Sequence, residues 1–359
     1  MKKPAVRMSS VLCSPVVAGV FALGSSGADA AIRSVPAQYP SIQAAIDASS
    51  SGDEVVVAPG SYPGGIAFTG KAITVRSENP TDPEVVAATV IYGVGEVGVI
   101  SFVDGEGPNA KLAGFTVTDA SSGGYGGVHA SGASPTIQHC RFISNGGAAI
   151  STEGGSPNVD SCEFEENDRA MYVYYASPTV TNSSFRWSYD GAILVVSGEI
   201  TASDCTFRDN YAGLGAAAWT ENGSTSTFIG CSFHNNHASG SGGALMNDGD
   251  VTIIDCSFTE NSSGAGGAMS NDWTSDVTIE GSTFCGNLPD HIAGTWHDSG
   301  GNVFDVSCGV PGDLNGDGVV NSADLAMLLG QWGFDGSADL TADGTVDAAD
   351  LSMLLGYWT

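Results

Sequence analysis

Basic side chains are scarce in this chain. Its 359 residues include 11 Lys and Arg against 40 Asp and Glu, which gives a formal net charge of −29. A surface with this balance repels the phosphate backbones of nucleic acids and anionic membrane surfaces, and it attracts cations. We therefore expect no nucleic-acid partner.

Long hydrophobic runs are also scarce. One apolar run extends from about Val11 to Leu23, follows three basic residues, and precedes a small-x-small cleavage site at Ala28-Asp29-Ala30. The run is too short to span a bilayer, and this order of features is typical of a secretory signal peptide. We predict a signal peptide at residues 1–30, a secreted or cell-surface protein, and no membrane span.

Apolar residues at helical spacing are missing from most of the chain, and a short repeated phrase stands in their place. Between residues 137 and 287 the phrase places a Cys or Ser two residues before a Phe, and in six of seven copies an Asn three residues after it. The phenylalanines recur every 21 to 26 residues, a period typical of a solenoid. They are Phe142, Phe164, Phe185, Phe207, Phe233, Phe258 and Phe284.

The pattern inside each phrase indicates strands. Apolar and polar residues alternate, so the Cys and Phe side chains share one face of a strand while the residue between them points away. The Gly, Asn and Ser turns leave no room for a helical repeat in these coils. We predict an all-β solenoid, a parallel β-helix of roughly ten coils, with inward columns of Phe, Cys, aliphatic and Asn side chains.

Two further expectations concern these columns. Asn tolerates a left-handed backbone, so we expect the Asn of each phrase to occupy the bend that ends its strand. Phe115 lies 27 residues before Phe142, so we expect it to begin the phenylalanine column, as part of a strand over 113–117.

A short helix is expected near the N-terminal end of the solenoid. Ser41 can cap its start, and Ile42, Ala45 and Ile46 fall on one helical face. Such a helix would cover the open end of the stack with its apolar side.

The eight cysteines are unevenly distributed. Five stand at the inward position where two other phrases have Ser, so we expect buried thiols there, packed as small apolar groups. Cys285 and Cys308 lie outside that position, near the end of the stack, where they could remain thiols or form a disulfide that clamps the last coil. The five are Cys140, Cys162, Cys205, Cys231 and Cys256.

The chain changes character after a short linker at 309–312. Two similar halves follow, each with oxygen-bearing side chains at loop positions 1, 3, 5, 9 and 12 and a Gly at position 6. This is the donor set and turn that a hard cation such as calcium requires, and position 7 contributes a backbone carbonyl. We predict two calcium sites, one at Asp313, Asn315, Asp317, Val319, Asn321 and Asp324 and one at Asp339, Thr341, Asp343, Thr345, Asp347 and Asp350.

These halves resemble a type I dockerin, with a twelve-residue loop closed by Asp and an apolar helix behind it. The resemblance implies calcium-dependent binding to a cohesin-type partner. By position it assigns partner contacts to Ser322, Ala323, Ala348 and Ala349. Thr341 departs from the usual Asn or Asp at loop position 3, which weakens the expectation for the second site.

The coils from 31 to 308 resemble the right-handed β-helices of the pectate-lyase-like superfamily. They are also similar to bacterial surface β-helix proteins and autotransporter passengers, through the recurring Phe-x-x-Asn and the runs Gly242-Gly-Ala-Leu245 and Gly266-Gly-Ala-Met269. The resemblance implies a right-handed parallel β-helix over 31–308, with the dockerin-like module at 309–359. Because one fold supports many functions, it indicates architecture more strongly than activity.

Lyases of this fold use carboxylate-bound calcium to acidify a uronate proton and an Arg or Lys to remove it. By that resemblance the candidate catalytic residues are Glu165, Arg186, Arg208 and Asp190, whose pattern also fits an ordinary salt-bridged surface. Several aromatic residues could stack on sugar rings, namely Tyr172, Tyr174, Tyr175, Trp187 and Trp219.

Two hypotheses about function follow. The first is an exported β-helix associated with extracellular polysaccharide, as a lyase or as a binding protein, with a docking module behind it. The second is a non-catalytic surface or adhesin-like protein in which the solenoid is a rigid stalk. Turnover of a polyuronate would favour the first hypothesis, and glycan binding without turnover would favour the second.

Overall fold

The computed structural model describes residues 30–94, 98–121, 126–305, 308, 312–315, 319–334, 336, 338, 340–341 and 345–358. Apart from Ala30, the predicted signal peptide lies outside these residues. The described part of the chain forms a parallel β-helix followed by a small helical module, which confirms the predicted fold class.

Three long parallel sheets make up the β-helix, with 12, 11 and 10 strands in the described part. Each coil visits the first, second and third sheet in turn before it rises to the next coil. The strands of the first sheet are Ile32–Val35, Glu54–Val57, Thr74–Ser77, Lys111–Ala113, Thr136–Gln138, Asn158–Asp160, Thr179–Thr181, Glu199–Ser203, Thr225–Ile229, Asp250–Ile254, Val277–Glu280 and His297–Asp298.

The strands of the second sheet are Gly60–Pro63, Thr89–Tyr92, Thr116–Thr118, Arg141–Ile143, Glu163–Glu165, Ser184–Arg186, Thr206–Arg208, Ser232–His234, Ser257–Thr259, Thr283–Cys285 and Val303–Asp305. Those of the third are Ile66–Ala67, Ile100–Phe102, Val128–Ser131, Ala148–Glu153, Arg169–Tyr174, Ile193–Val196, Ala218–Thr220, Leu245–Asn247, Met269–Asn271 and Ile292–Ala293. Tyr211–Ala212 and His237–Ala238 form a separate short pair.

Four helices lie in the described residues: α1 at Ile42–Ala48, α2 at Pro83–Ala88, α3 at Ser322–Gly330 and α4 at Ala348–Gly356. Helix α1 confirms the predicted N-terminal cap. The Ser41 side chain accepts a hydrogen bond from the Ala44 amide at 3.2 Å, and the apolar side of the helix is buried against the first coils. Helix α2, which begins after Asp82, was not predicted.

The seven predicted phenylalanines form a single inward column in the second sheet. Neighbouring ring centroids lie 4.5 to 5.0 Å apart and the rings are parallel to within 8°. All seven rings are fully buried. Face-to-face contact follows from the register, because each Phe pairs directly with the Phe of the next coil. Phe304 continues the column below Phe284 at 4.8 Å.

The prediction that Phe115 begins this column is wrong. Val117, not Phe115, pairs with Phe142, while Phe115 stands above Cys140 in the neighbouring column. The predicted strand over 113–117 is likewise two strands, since Gly114 adopts a left-handed conformation with φ of +75° and turns the chain from the first sheet to the second. A side chain could not occupy that position, because a Cβ there would lie 2.3 Å from the Pro80 Cα.

The Asn of each phrase forms a buried ladder, as predicted, but it does not adopt the left-handed backbone. The residue before it does so, as in Ser144, Glu166 and Asp209 with φ of 53° to 55°. The Asn side chain instead points inward, where its amide donates to the Asn of the next coil at 2.9 Å and to a backbone carbonyl. A buried amide thus satisfies the backbone at each corner.

The five cysteines of the Cys column are buried free thiols, as expected. Their sulfurs lie 3.3 to 3.4 Å from a carbonyl oxygen two residues earlier, and Ser183 makes the corresponding hydroxyl contact at 2.8 Å. A small side chain with one donor therefore suits this corner, which explains the exchange of Cys and Ser. Cys285 and Cys308 form a disulfide at the last coil.

The Asn ladder gives a stability prediction. Asn236 donates to the Phe207 carbonyl at 3.0 Å and to the Asn261 side chain at 2.9 Å, and it accepts from Asn210. Stranding a buried polar group costs about 1–3 kcal/mol, so Asn236→Ala should lower the free energy of unfolding by at least about 2 kcal/mol. Chemical denaturation followed by circular dichroism measures this change.

Ser188 provides the matched substitution in the opposite direction. It takes the place of Asn in the same column, and its buried Oγ has no hydrogen-bond partner among the described residues. Ser188→Asn should complete the ladder between Asn167 and Asn210 and raise the free energy of unfolding by about 1 kcal/mol. Unchanged denaturation midpoints in both variants would contradict a stabilising role for the ladder.

Candidate functional site

The C-terminal module repeats one local geometry at the start of α3 and α4. The Asn321 side chain accepts a hydrogen bond from the Ala323 amide at 2.8 Å, and Asp324 accepts one from the Asn321 amide at 2.9 Å. In the second half the Asp347 side chain accepts from the Ala349 amide at 2.7 Å. Two donors at each helix start are therefore satisfied reciprocally, in a capping box.

The carboxylate at loop position 12 also holds the beginning of its own loop. The second oxygen of Asp324 accepts from the amides of Leu314 and Asn315 at 2.8 and 3.1 Å. In the second half, Asp350 accepts from both the amide and the hydroxyl of Thr341, at 2.8 and 3.0 Å. Thr341 thus contacts the closing carboxylate, a role that sequence reasoning missed.

These hydrogen bonds keep both closing carboxylates charged. The backbone amide of Asn321 lowers the pKa of Asp324 below its usual range, and the amide of Asp347 lowers the pKa of Asp350 to about 2. Both side chains are shielded by the surrounding module. Each loop therefore carries a fixed negative charge at any physiological pH.

The donor set of the module fits a hard cation. Residues 309–359 contain eight Asp and no Lys, Arg or His, so no side chain of this segment can neutralise them. Carboxylate, amide and hydroxyl oxygens at the predicted loop positions are the ligands that calcium prefers. Of the twelve predicted ligands, Asp317, Asp339 and Asp343 lie outside the described residues.

The predicted partner-contact residues share one environment. Ser322 and Ala323 lie exposed at the first turn of α3, and Ala348 and Ala349 lie exposed at the first turn of α4. Behind them the two halves share a small core, formed by Val320, Leu328, Ala338, Val346 and Leu354. The core fixes the helices, so the two small-residue turns are held in defined positions.

Three of the four predicted catalytic side chains lie together on the outer face of the second sheet. Glu165, Arg186 and Arg208 are in register on successive coils. Arg186 contacts the Glu165 carboxylate at 2.8 Å, and its guanidinium lies 4.8 Å from the centre of the Trp187 ring. Arg208 contacts Asp209 at 2.9 Å. Each arginine is therefore held by a carboxylate partner.

Asp209 illustrates the electrostatics of this face. Burial would raise the pKa of its carboxyl group, but hydrogen bonds from Asn235 and Arg208 outweigh burial and lower that pKa below the usual value. The carboxylate is thus charged and paired. Among the described residues, no cluster of three or more His, Cys, Asp and Glu side chains is arranged to hold a metal ion.

Asp190 lies apart from these three residues. Its carboxylate contacts Arg169 at 2.6 Å, at the turn that leads into the third sheet. The structure thus brings together Glu165, Arg186 and Arg208 but places Asp190 on a different surface. The contacts are those of a salt-bridged surface, and catalysis by these residues stays a prediction.

The surface around Asp190 contains a groove that sequence reasoning did not identify. It has a volume of about 210 Å³, and its lining includes Arg169, Asp190, Leu194, Leu214 and Trp219. Of these, Trp219 was predicted as a possible sugar-stacking residue. The groove forms only because the turn at 212–215 folds beside the outward side chains of the third sheet.

No helix in the described residues has the length and apolar character needed to cross a membrane.

Comparison with known protein families identifies both parts of the chain. The model for the right handed beta helix region matches residues 89–219 and 172–313, which together exceed half of the chain. The model for the dockerin type I domain matches residues 311–357. A search of curated proteins found no match.

Three solved structures are similar in fold. The pectate lyase Pel9A has 13% identity, covers 73% of this chain and 72% of its own, and gives a TM-score of 0.48. The catalytic domain of a GH87 alpha-1,3-glucanase variant in complex with nigerose has 10% identity, coverages of 76% and 68%, and a TM-score of 0.42. The deglycosylated pectin methylesterase from Aspergillus niger has 13% identity, coverages of 80% and 92%, and a TM-score of 0.34.

Dockerin type I domains bind calcium and cohesin modules, which agrees with the donor set and with the exposed helix starts described above. The chain therefore belongs to the right handed beta helix family, and it carries a type I dockerin domain at its C-terminal end.

Proposed function

We propose that this protein is exported, binds extracellular polysaccharide through its β-helix, and attaches to a cohesin-bearing partner through calcium bound in its C-terminal module. The observation that carries the proposal is the duplicated loop and helix, with a fixed carboxylate charge in each half and exposed small residues at both helix starts. The division into a signal peptide at 1–30, a β-helix at 31–308 and a docking module at 309–359 belongs to the same proposal.

The proposal assigns one calcium ion to each half. Asp313, Asn315, Asp317, Asn321 and Asp324 supply the side chains of the first site, with the carbonyl of Val319. The second site uses the matching residues Asp339, Thr341, Asp343, Asp347 and Asp350, with the carbonyl of Thr345. When the ion binds, it neutralises carboxylates for which the segment has no cationic side chain, so binding and ordering of the loops are linked.

The partner then binds to the exposed turns at the start of α3 and α4. Small side chains at Ser322, Ala323, Ala348 and Ala349 permit close approach of another surface to these turns. Since calcium holds each loop against the helix that follows it, the contact surface depends on the ion. This linkage gives calcium-dependent attachment.

The calcium sites can be counted directly. We expect the full chain to bind two equivalents of calcium by isothermal titration calorimetry, and Asp324→Asn and Asp350→Asn each to remove one. The physical reason is that either change deletes a charged ligand at position 12 while it keeps an oxygen that can accept the capping hydrogen bond.

Asp335→Asn is the matched control, because it makes the same charge change within the module but outside both twelve-residue loops. It should leave two equivalents bound. Two equivalents retained in the Asp324→Asn, Asp350→Asn double variant would show that these loops are not the sites.

Polyuronate cleavage is a second candidate function, favoured by one observation. A groove of about 220 Å³ runs beside Arg186 and Arg208, with Glu163, Ser184 and Thr206 in its lining. In a lyase, an arginine here would remove the proton next to the uronate carboxylate, while a cation held by the substrate and protein carboxylates would acidify that proton. The ion pair with Glu165 keeps Arg186 charged, which opposes this role.

Incubation with polygalacturonate or alginate in the presence of calcium tests the lyase. Cleavage would produce an unsaturated sugar end with ultraviolet absorbance, and Arg186→Ala or Arg208→Ala would lower its rate by about 10²-fold or more, as expected for loss of a general base. Arg76→Ala, which breaks an ion pair near the first coils, is the control. Absence of product would exclude the lyase and favour the binding role.

A further inference from the structure

We propose that the outward row formed by Tyr172, Leu194, Trp219 and Met246, together with the groove beside it, binds an uncharged polysaccharide chain that lies along the axis of the β-helix. This inference rests on the proposed association with polysaccharide and specifies its site and its ligand class. The site is separate from the Arg186 and Arg208 surface.

The row is a consequence of sheet register. Tyr172 pairs with Leu194, Leu194 with Trp219, and Trp219 with Met246 on successive coils of the third sheet. Their neighbours Met171, Ile193, Ala218 and Leu245 are buried in the interior, so the row points outward. A polymer along the axis would therefore meet one apolar side chain per coil, about every 4.8 Å.

A groove opens beside the row. Leu194 and Trp219 line it from the sheet, Leu214 lines it from the turn at 212–215, and the Arg169–Asp190 ion pair contributes its polar groups. An apolar surface with a few convergent polar groups is the usual composition of a small-ligand site. A sugar ring suits it, because the C–H face of the ring stacks on an indole while its hydroxyls bond to a guanidinium and a carboxylate.

The aromatic rings of the site are oriented before any ligand binds. The Trp219 indole Nε1–H donates to the Asp248 carboxylate at 2.8 Å, which fixes the plane of the ring. Tyr172 stacks with Tyr174 at 6.2 Å, and Tyr174 meets Tyr175 edge to face at 4.5 Å. Side chains that are already fixed lose little conformational entropy when a ligand binds.

Charge determines the ligand class. Each arginine in the described residues contacts a carboxylate at 2.6 to 3.0 Å. The chain as a whole carries a formal charge of −29. A polyuronate would bring further negative charge to this surface with few uncommitted cations to meet it, whereas an uncharged glycan meets no such repulsion. The surface therefore fits neutral sugar polymers better than acidic ones.

Binding of the full chain to polysaccharides tests the inference. Xylan, glucomannan and β-1,3-glucan serve as uncharged probes in affinity electrophoresis, and polygalacturonate with and without calcium serves as the anionic probe. We expect binding to at least one uncharged probe, insensitive to chelator, and weaker binding to polygalacturonate. Trp219→Ala should weaken binding about tenfold or more, as for other buried aromatic anchors.

Trp273→Ala is the matched control. This tryptophan is 87% exposed on the turn after Met269–Asn271, outside the row, so its removal should leave the affinity unchanged. Trp219→Phe should retain part of the affinity because it keeps a ring to stack on. Leu214→Glu changes the groove from the turn without altering the sheet, so it tests the site even if Trp219→Ala unfolds.

The outcomes separate the inference from the function on which it rests. Glycan binding that Trp219→Ala and Leu214→Glu leave intact would overturn this site and keep the association with polysaccharide. Preference for polygalacturonate would overturn the uncharged ligand class. Failure of the unmodified chain to bind any of the probes would overturn both the site and the association.

Discussion

Direct stacking of equivalent residues is the constraint on which this structure depends. Parallel pairing places each residue of a coil above its counterpart in the next, so a side chain that suits the interior once must suit it in every coil. The phenylalanine rings meet this condition by stacking, and the Asn amides meet it by bonding to one another. Burial of a polar amide is tolerated because the next coil always supplies its partner.

The same constraint organises the outer surface. Outward residues also repeat along the axis, so a single kind of side chain becomes a row. In the second sheet the rows are charged and pair with each other, as Glu165 does with Arg186. In the third sheet a row is aromatic and aliphatic, from Tyr172 to Met246. The docking module follows a different rule, since its loops depend on cation binding rather than on stacking.

Sequence spacing predicted the parts of the fold whose coil length is constant. The Cys, Phe and Asn positions lie within one six-residue phrase, so their columns could be aligned directly. The left-handed corner was assigned one residue too late, because Asn is favoured both in such corners and in buried ladders, and here the ladder determines its place. Phe115 was misplaced because the turn at Gly114 shifts the register by two residues.

The candidate sites were predictable to different degrees. The calcium loops are contiguous in sequence, so their ligands could be named before the fold was known. The row from Tyr172 to Met246 has spacings of 22, 25 and 27 residues, which depend on turn lengths that the phrase does not show. Asp190 was grouped with the arginines for the same reason, since the chain turns between Arg186 and Asp190 and carries the carboxylate to another surface.

The central claim is that one chain joins a polysaccharide to a cohesin-bearing partner. Co-sedimentation measures it directly, with an insoluble uncharged polysaccharide, the full chain and a labelled cohesin module. We predict that the cohesin sediments with the polysaccharide when both the chain and calcium are present, and that it returns to the supernatant when a chelator is added. Cohesin that stays in the supernatant with calcium, or that sediments equally with chelator, would contradict the account.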